Sequence, residues 1–248
     1  MNVLRKIVRK IQRLWRKPIV VTCFHKVSDV YEPLYGGIGD WTETEQFKRN
    51  ILHLQKRYTF ISIEEACQHL LHDTFRFRNY AVLTSDDGYQ YVLDILPWLK
   101  EQRVPITLFI STQYLDGKSY DLWFDAHWKD ITAETKENLL QSMYIQSQHL
   151  SSAELNTDNI SLCLHGYGHD EVSQMDAEAF RNYVEKCKAA LEKHPRYKPF
   201  YAYTWGRHSD ATDNVLREKG IVPVYMDGQM NDKWDGGIHR VCVDGRNV

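Results

Sequence analysis

The stretch that decides the fold is residues 80–112, YAVLTSDDGYQYVLDILPWLKEQRVPITLFIST. It begins with an apolar run, YAVLTS (80–85), and ends with another, ITLFIST (106–112). Between them, residues 90–102 have the apolar spacing of a helix. Val104-Pro105 ends this helix, because the residue before a proline disfavours helical backbone. Strand, helix and strand in this order are typical of a parallel sheet.

Strand-like and helical patterns alternate along the rest of the chain. Most of the strand-like runs are apolar on both faces, as in parallel strands that are covered on both sides. The further runs are IVVTCF (19–24), ISLCLH (160–165), FYAYTW (200–205), VPVYM (222–226) and HRVCV (239–243). Helical patterns cover residues 42–54, 63–71, 177–193 and 213–219, the first with a capping box at Thr42 and Glu45. About seven strands in roughly 230 residues predict an α/β fold, a distorted (β/α) barrel of about seven parallel strands.

The sequence divides into a basic amphipathic N-terminal helix, residues 1–18, and a barrel domain, residues 19–248. The first 17 residues, MNVLRKIVRKIQRLWRK, contain seven Lys or Arg and no acid, with apolar side chains at helical spacing. Two interpretations stay open. The helix either lies on an anionic membrane surface through residues 3–17, or docks on the domain with its basic side chains in solvent. Residues 113–159 lack a clear strand and predict an insertion across one end of the barrel.

Composition limits the partners and the compartment. The formal net charge of -2 argues against a nucleic-acid partner, which needs a broad basic face. The five cysteines are odd in number, have no CxxC spacing and lie mostly in apolar runs, which predicts buried free thiols in a reducing compartment. The N-terminal segment lacks the uninterrupted apolar core of a signal peptide. We therefore expect a cytoplasmic location. If the N-terminal helix binds lipid, the protein would be peripheral on the inner face of the membrane.

Polar side chains follow the strand-like runs at the point where each run ends. His25 follows the first run, Asp86-Asp87-Gly88 follows the second, and His165 and His169 begin the loop after the run at 160–165. Trp205 ends a later run. Because the carboxyl ends of parallel strands gather on one side of a barrel, we expect these side chains to meet in one active site.

The acidic pair and the histidine pair together predict a divalent metal site. Adjacent carboxylates at the end of an apolar strand repel each other, and a cation would relieve that repulsion. Two histidines four residues apart with glycines between them fit a tight loop that turns both rings toward one ion. Each motif alone also fits a structural role, a helix N-cap and turn for the acids and a solvent-facing loop for the histidines. One carboxylate and two imidazoles suit a catalytic zinc ion, and Co, Ni and Fe accept the same ligands.

Several separated blocks resemble the NodB-type polysaccharide deacetylases, and together they cover roughly residues 19–245. VVTCFHKVSD (20–29) is similar to the family's opening strand, and VLTSDDGYQYVLDILPWLKEQRVPITLFIST (82–112) to its first motif with the following helix and strand. LHGYGHDEVSQMDAEAFRNYVEKCKAALEK (164–193) resembles the second motif, and FYAYTWGRHSDATDNVLREKGI (200–221) the third. DGGIHRVCVDG (235–245) resembles the closing strand.

The resemblance implies the barrel fold and a role for each matching residue. Asp87, His165 and His169 would hold the metal, and Asp86 would stay free of it as the general base. The metal would lower the pKa of a bound water and polarise an amide carbonyl. The backbone N–H of Trp205 would be the oxyanion donor.

The resemblance leaves the general acid open. The family's late Leu-x-His motif has no clear counterpart, so His25 and His239 are both candidates for the group that protonates the leaving amine. Tyr89, Tyr167 and Arg240 are expected to contact the substrate.

Some positions depart from the family pattern. Ser85 stands where Phe is usual, Gly166 where Ser or Thr is usual, and Thr204-Trp205 where Pro-Tyr is common. The third-motif arginine that often orients the base is absent, with Ala202 near its position. These changes spare the expected ligands and base, so they bear on substrate and efficiency more than on the type of reaction.

We therefore expect a metal-dependent hydrolase that removes the N-acetyl group from an amino sugar in a polysaccharide or glycolipid. Its partner would be an N-acetylated carbohydrate. The alternative is a catalytically weak relative that binds sugar or protein through the same cleft. A third hypothesis keeps the metal chemistry but changes the acyl group, for example to formyl.

Overall fold

The computed structural model describes residues 17–29, 41–74, 78–88, 91–113, 132–134 and 158–244. The predicted N-terminal helix and nearly all of the predicted insertion at 113–159 lie outside these residues. In the described part, no helix has the length and apolar character needed to cross a bilayer. The helices are α1 (Thr44–Gln55), α2 (Ile63–Leu71), α3 (Tyr91–Glu101), α4 (Ala177–Leu191) and α5 (Asp210–Glu218). The strands are β1 (Ile19–Phe24), β2 (Lys26–Val27), β3 (Trp41–Thr42), β4 (Thr59–Phe60), β5 (Tyr80–Ser85), β6 (Ile106–Ile110), β7 (Ile160–Leu164), β8 (Tyr197–Ala202), β9 (Val222–Tyr225), β10 (Ile238–His239) and β11 (Val241–Cys242).

Nine parallel strands form the main sheet, in the order β10-β9-β8-β7-β6-β5-β1-β11, with β4 paired to β5. The two strands at the ends of this order, β10 and β11, are consecutive in the chain and separated only by Arg240. The two edges of the sheet therefore meet, and the sheet forms a nearly closed barrel. The predicted α/β barrel is confirmed. Its strand number is larger than predicted because β4 is additional and the last predicted strand is divided at Arg240.

Strand register places the polar residues of the site side by side. β1 and β5 pair over their whole length, and the last pair is Phe24 with Ser85. The next residues, His25 and Asp86, therefore leave the sheet together, and the N–H of Asp86 donates to the carbonyl of Phe24 at 3.1 Å. The site lies at this carboxyl end of the sheet, where parallel α/β folds gather their loops.

Two hydrophobic clusters cover the two faces of the sheet. One lies between the sheet and α1, α3, α4 and α5. The other lies on the opposite face, inside the barrel, and includes the buried residues of α2. Glu64 of α2 accepts a hydrogen bond from Ser161 near the start of β7, at 2.9 Å. α2 therefore packs at the amino end of the barrel and leaves the carboxyl end for the site.

Two predicted helix starts differ from the observed ones. The capping box predicted at Thr42 and Glu45 is wrong, because α1 begins at Thr44 after Glu43, whose side chain makes no capping hydrogen bond. Thr42 instead pairs with Val27 as part of β3. α5 begins at Asp210, earlier than the predicted residue 213, because Ser209 forms a capping box with Thr212.

Candidate metal centre and active site

Three predicted metal ligands come together at the carboxyl ends of β5 and β7. Asp87 follows β5, and His165 and His169 lie in the loop after β7. The Nε2 atoms of His165 and His169 each lie 3.4 Å from Oδ1 of Asp87. All three side chains are buried, and their donor atoms lie within 4.8 Å of one another. This carboxylate and two imidazoles form a compact cluster that we call the metal triad.

The spacing and the tautomer of the metal triad fit a divalent ion. Two ligands about 2.1 Å from a tetrahedral zinc ion lie about 3.4 Å from each other, and the Nε2–Oδ1 distances have this value. Nδ1 of His165 lies 2.9 Å from the carbonyl oxygen of Ala202. Because a carbonyl can only accept, Nδ1 of His165 carries the proton and Nε2 presents its lone pair to the triad.

Burial and neighbouring groups shift the pKa values of two members of the triad, Asp87 and His169. Burial alone would raise the pKa of Asp87, but the rings of His165 and His169 beside it hold that pKa below its ordinary value. Burial lowers the pKa of His169 to about 4, against the opposing effect of Asp87. At neutral pH the carboxylate is therefore ionised and His169 is neutral, as metal ligation requires.

The residues at the end of β6 hold the loop that carries the two histidines. The N–H of Thr112 donates to the carbonyl of Gly166 at 3.0 Å, and the hydroxyl of Ser111 donates to the carbonyl of His165 at 3.2 Å. Both polar side chains are buried. Ser111 and Thr112 therefore fix, through its backbone, the loop that carries the two histidines.

Asp86, adjacent to the ligand Asp87, has a different partner. Nη1 of Arg240 donates to its Oδ1 at 2.6 Å, and Nη2 donates to its Oδ2 at 2.8 Å. Burial would raise the pKa of Asp86, but Arg240 and then His165 hold it well below the ordinary value. Oδ2 of Asp86 lies 3.9 Å from Nε2 of His165. An ionised carboxylate with its own cationic partner thus lies beside the metal triad.

His25 pairs with Asp244, at the end of the closing strand. Nδ1 of His25 lies 2.6 Å from Oδ2 of Asp244, and the backbone N–H of His25 donates to the same carboxylate at 3.0 Å. A ring nitrogen of His25 and a carboxylate oxygen of Asp86 lie within 4.8 Å of each other. Burial lowers the pKa of His25, but Cys23 and Asp244 outweigh it and raise that pKa well above the ordinary value. Because burial raises the pKa of the Cys23 thiol itself, the carboxylate of Asp244 is the charge that favours the imidazolium.

The other candidate acid, His239, faces away from this centre. Its Nδ1 lies 2.6 Å from Asp227 and its Nε2 lies 3.1 Å from Asp235. Successive side chains of an extended chain point to opposite faces, so the inward position of Arg240 directs His239 outward. Burial lowers the pKa of His239, but Asp227 and Asp235 outweigh it and raise the pKa. Of the two candidate acids, the structure places His25 beside Asp86.

The residues predicted to contact substrate occupy different surroundings. Tyr89 lies outside the described residues. Tyr167 lies under Nζ of Lys186 from α4, 3.3 Å from its ring centroid, and its N–H donates to the hydroxyl of Tyr183 at 2.7 Å. The side chain of Arg240, which is also predicted to contact substrate, is 0% exposed, and its guanidinium is held by Asp86. Arg240 therefore contacts the expected base.

Backbone strain gathers at this site. Trp205 lies in the 3-10 turn Thr204–Gly206 after β8 with φ 59°, and its ring meets the edge of His169 with centroids 4.8 Å apart. Asp87 and His169 also have positive φ, 68° and 62°. A left-handed backbone costs a non-glycine residue about 1–2 kcal/mol. Strain retained at three neighbouring site residues supports a functional requirement for this geometry.

Sequence patterns do not identify two of the partners at this site, Arg240 for Asp86 and Asp244 for His25. Arg240, Cys242 and Asp244 occupy alternate positions in the closing run, which is a signal that they share one face. The pattern does not say that this face looks into the barrel. That follows from the pairing of β11 with β1, which aligns Cys242 with Cys23.

A family model described as polysaccharide deacetylase matches residues 77–224. The chain belongs to the polysaccharide deacetylase family. The resemblance predicted from the motifs is therefore confirmed, and the chain is a deacetylase, a hydrolase of the N-acetyl groups of a polysaccharide. The matched range of the deacetylase contains Asp86, the metal triad and Trp205, whereas His25 and Arg240 lie outside it.

Solved structures share the fold of the deacetylase. IcaB from Ammonifex degensii is 20% identical, with a TM-score of 0.71 over 92% of this chain and 93% of that one. The deacetylase PplD from Streptococcus pyogenes, in complex with acetate, is 16% identical, with a TM-score of 0.67 over 91% and 92% of the two chains. The BpsB deacetylase domain from Bordetella bronchiseptica is 16% identical, with a TM-score of 0.64 over 90% and 95%. No curated protein matches the chain.

Proposed function

We propose that the deacetylase hydrolyses the N-acetyl group of an amino sugar in a polysaccharide or glycolipid, with a divalent ion held by Asp87, His165 and His169. The observation that carries this proposal is the arrangement of Asp86, an ionised carboxylate beside the metal triad, with a protonatable His25 within reach of it. When bound, the ion would polarise the acetyl carbonyl and lower the pKa of the attacking water. Zn suits this ligand set best, and Co, Ni or Fe accept it.

Asp86 acts as the general base in this proposal. Its two hydrogen bonds from Arg240 fix the carboxylate beside the triad and keep it ionised, so it is always ready to accept a proton from the attacking water. The same pair takes the place of the third-motif arginine that the sequence lacks. Arg240 therefore positions the base from the closing strand.

His25 acts as the general acid. An amine leaves readily only after protonation, and the raised pKa of His25 keeps a proton on its ring near neutral pH. Asp244 binds Nδ1, so Nε2 is the nitrogen that remains to deliver a proton to the leaving nitrogen. The proton that Asp86 took from the water then passes to His25, directly or through solvent, which leaves Asp86 ionised and His25 protonated for the next turnover.

Trp205 supplies the oxyanion donor. Its positive φ and its contact with the ring of His169 place this turn beside the metal triad. A backbone N–H in a fixed turn costs no reorganisation when the tetrahedral intermediate forms. This role is supported by the position of the turn and by the family resemblance.

The test is acetate release from oligomers of N-acetylglucosamine, with their N-formyl counterparts as the comparison for the acyl group. We expect release of acetate by the metal-loaded protein, loss of release after chelation, and recovery on addition of Zn²⁺. Binding of the oligomers without acetate release at any metal would support the alternative, a sugar-binding relative. Nothing in the comparisons favours that alternative.

The membrane contact of residues 3–17 and a cytoplasmic location remain proposals that the sequence alone supports. Residues 1–16 lie outside the described part of the chain. Seven basic residues beside an apolar face suit a surface of anionic lipid. The test is co-sedimentation of the full chain with lipid vesicles. Stronger sedimentation with phosphatidylserine vesicles than with neutral phosphatidylcholine vesicles would support the membrane contact. Equal sedimentation with the two kinds of vesicle would contradict it.

A further inference from the structure

His25 is bordered by two thiols as well as by two carboxylates. Cys242, His25 and Asp244 each offer one ligand atom, and these atoms lie within 4.8 Å of one another. The Sγ of Cys242 is 3.5 Å from Oδ2 of Asp244, which is also the atom 2.6 Å from Nδ1 of His25. A second grouping of the same kind joins Cys23, His25 and Asp86. Sulfur ligands thus lie next to a reaction site whose metal triad contains none.

Barrel closure builds this arrangement. β11 pairs with β1 in parallel and aligns Cys242 with Cys23, and the N–H of Val243 donates to the carbonyl of Cys23 at 3.0 Å. The following residue, Asp244, is held by the backbone N–H of His25 and has a side chain that is 0% exposed. The carboxylate is therefore fixed by the sheet and does not depend on a flexible loop.

Charge separates the two groupings. The Sγ of Cys23 lies 3.5 Å from Nη1 of Arg240, and the same guanidinium binds Asp86. A fixed positive charge in contact with two of the three groups opposes a second cation there. Arg240 acts on Cys242 through its charge but donates no hydrogen bond to it among the described contacts, and Cys242 is partly exposed, which gives an ion a way in.

We propose that Cys242, His25 and Asp244 form a second metal site, distinct from the metal triad, that binds a borderline or soft divalent ion such as Zn²⁺, Co²⁺ or Cd²⁺. A thiolate, an imidazole and a carboxylate are ligands that such ions accept together, with a water as the fourth. Binding replaces the proton between Nδ1 of His25 and Asp244 and displaces the thiol proton of Cys242. The Nδ1–Oδ2 separation then widens from 2.6 Å toward the roughly 3.4 Å of two ligands on one tetrahedral ion.

Occupancy of this site, which we call the thiolate site, would inhibit the enzyme. This consequence rests on the proposed function, in which His25 carries the proton for the leaving amine. An ion on Nδ1 displaces the hydrogen bond to Asp244 and takes the place of a ring proton, so His25 can no longer form the imidazolium that protonates the leaving amine. Excess soft metal would therefore reduce activity while the metal triad stays loaded.

Titration with Co²⁺ followed by absorption tests the thiolate site without reference to activity. Only a thiolate ligand gives a sulfur-to-cobalt charge-transfer band in the near ultraviolet. We expect the wild-type chain to bind about two ions and to develop this band. Cys242→Ser and Cys242→Ala should lose the band and one ion, whereas Cys23→Ser, the matched control, should keep both. Circular dichroism of each variant verifies its fold.

His165→Ala separates this proposal from the proposed function, since it should lose the triad ion and keep the sulfur band. In activity assays, Cys242→Ser should be about 10–100-fold less sensitive to Cd²⁺ than the wild type. Absence of the sulfur band in the wild-type chain at saturating Co²⁺, or its loss in Cys23→Ser but not in the Cys242 variants, would overturn the thiolate site. A sulfur band in a chain that never releases acetate would instead leave the site standing and count against the proposed function.

Discussion

At the scale of single residues, two adjacent carboxylates receive opposite environments. Asp87 faces two imidazoles, whereas Asp86 faces the guanidinium of Arg240, which lies between β10 and β11. One side chain is therefore suited to ligate a cation and the other to accept a proton. The chain turns at Asp87, which has φ 68° just after the end of β5, and this turn lets the two neighbouring side chains point to different partners.

The Asp86–Arg240 pair predicts an asymmetric effect on stability. Arg240→Met leaves a buried carboxylate without its partner and should lower the free energy of unfolding by about 3–5 kcal/mol. The double variant Asp86→Leu/Arg240→Met should recover most of that loss, since both charges are gone, and should stay inactive. Urea denaturation near neutral pH measures the free energy of unfolding of both variants.

The stability that the Asp86–Arg240 pair contributes should also depend on pH. Because the pKa of Asp86 is lower in the folded chain than in the unfolded one, this contribution is complete above the unfolded pKa of about 3.9. It disappears as the pH falls toward the pKa of the folded state.

Arg207→Met is the matched control for this pair. Arg207 pairs with Glu171 at the surface, with side chains 61% and 31% exposed, so its loss should cost less than about 1 kcal/mol. Equal losses for the two arginine variants would contradict the account of the buried pair.

The His25–Asp244 pair predicts the alkaline side of the activity profile. The raised pKa of His25 keeps this proposed acid protonated above the ordinary pKa of about 6.5, and activity should fall only as the pH passes the raised pKa. In Asp244→Asn, burial then dominates, so the alkaline limb should move down by about one pH unit or more. Profiles of kcat/KM against pH measure the shift. Asp227→Asn, which removes a partner of His239, should leave the limb in place; a shift in that variant instead would make His239 the acid.

At the scale of elements, the loop after β7 carries the geometry of the metal triad. Its backbone is held by the end of β6 on one side and by Tyr183 of α4 on the other. Tyr183 donates to Asp170 at 2.7 Å and accepts from the N–H of Tyr167, which joins both ends of the loop to the helix. Two histidines four residues apart can therefore converge on one ion without being in a helix.

Gly166 tests this element because it combines a positive φ with a close neighbour. Its φ is 83°, and a Cβ there would lie 2.8 Å from the hydroxyl of Tyr183. Gly220 has φ 67° and open space around it, so it isolates the cost of the backbone alone. Each alanine variant should lose about 1–2 kcal/mol of stability from the backbone. Only Gly166→Ala should also displace the loop and weaken metal binding, by about 10–100-fold.

Calorimetric metal titration of the two glycine variants provides the measurement. Equal metal affinity in Gly166→Ala and Gly220→Ala would mean that Tyr183 does not control the position of the histidines.

Much of the architecture follows from local patterns at this scale. The buried strands β1, β5 and β9 lie where their apolar runs predict, because a run covered on both faces has few alternatives. The helix α2 also has its predicted bounds, with a capping box at Ser62. β8 begins earlier than its run predicts, at Tyr197, since pairing with β7 extends it through polar residues. Such extension depends on the neighbouring strand and not on the local sequence.

At the scale of the whole molecule, closure of the barrel completes the site. Asp86 and Arg240 are 154 residues apart in the chain, and His25 and Asp244 are 219 apart. Their contacts depend on β11 joining β1, a pairing that no local pattern specifies. The metal triad could be predicted because its ligands follow two recognisable strands, β5 and β7. The choice between His25 and His239, and the clamp of Arg240 on Asp86, could not be predicted, because they depend on where the last strand inserts.

The most direct test of the account compares Asp86→Asn with Asp87→Asn, two isosteric changes at adjacent positions. Metal content and acetate release are measured on both variants beside the wild type, after exposure to the same Zn²⁺ solution. We predict that Asp87→Asn binds one ion fewer than the wild type. Asp86→Asn should bind as many ions as the wild type yet lose about 10²–10⁴-fold in kcat, the usual contribution of a general base. Loss of the ion in Asp86→Asn, or full metal content in Asp87→Asn, would contradict the division of roles between the two carboxylates.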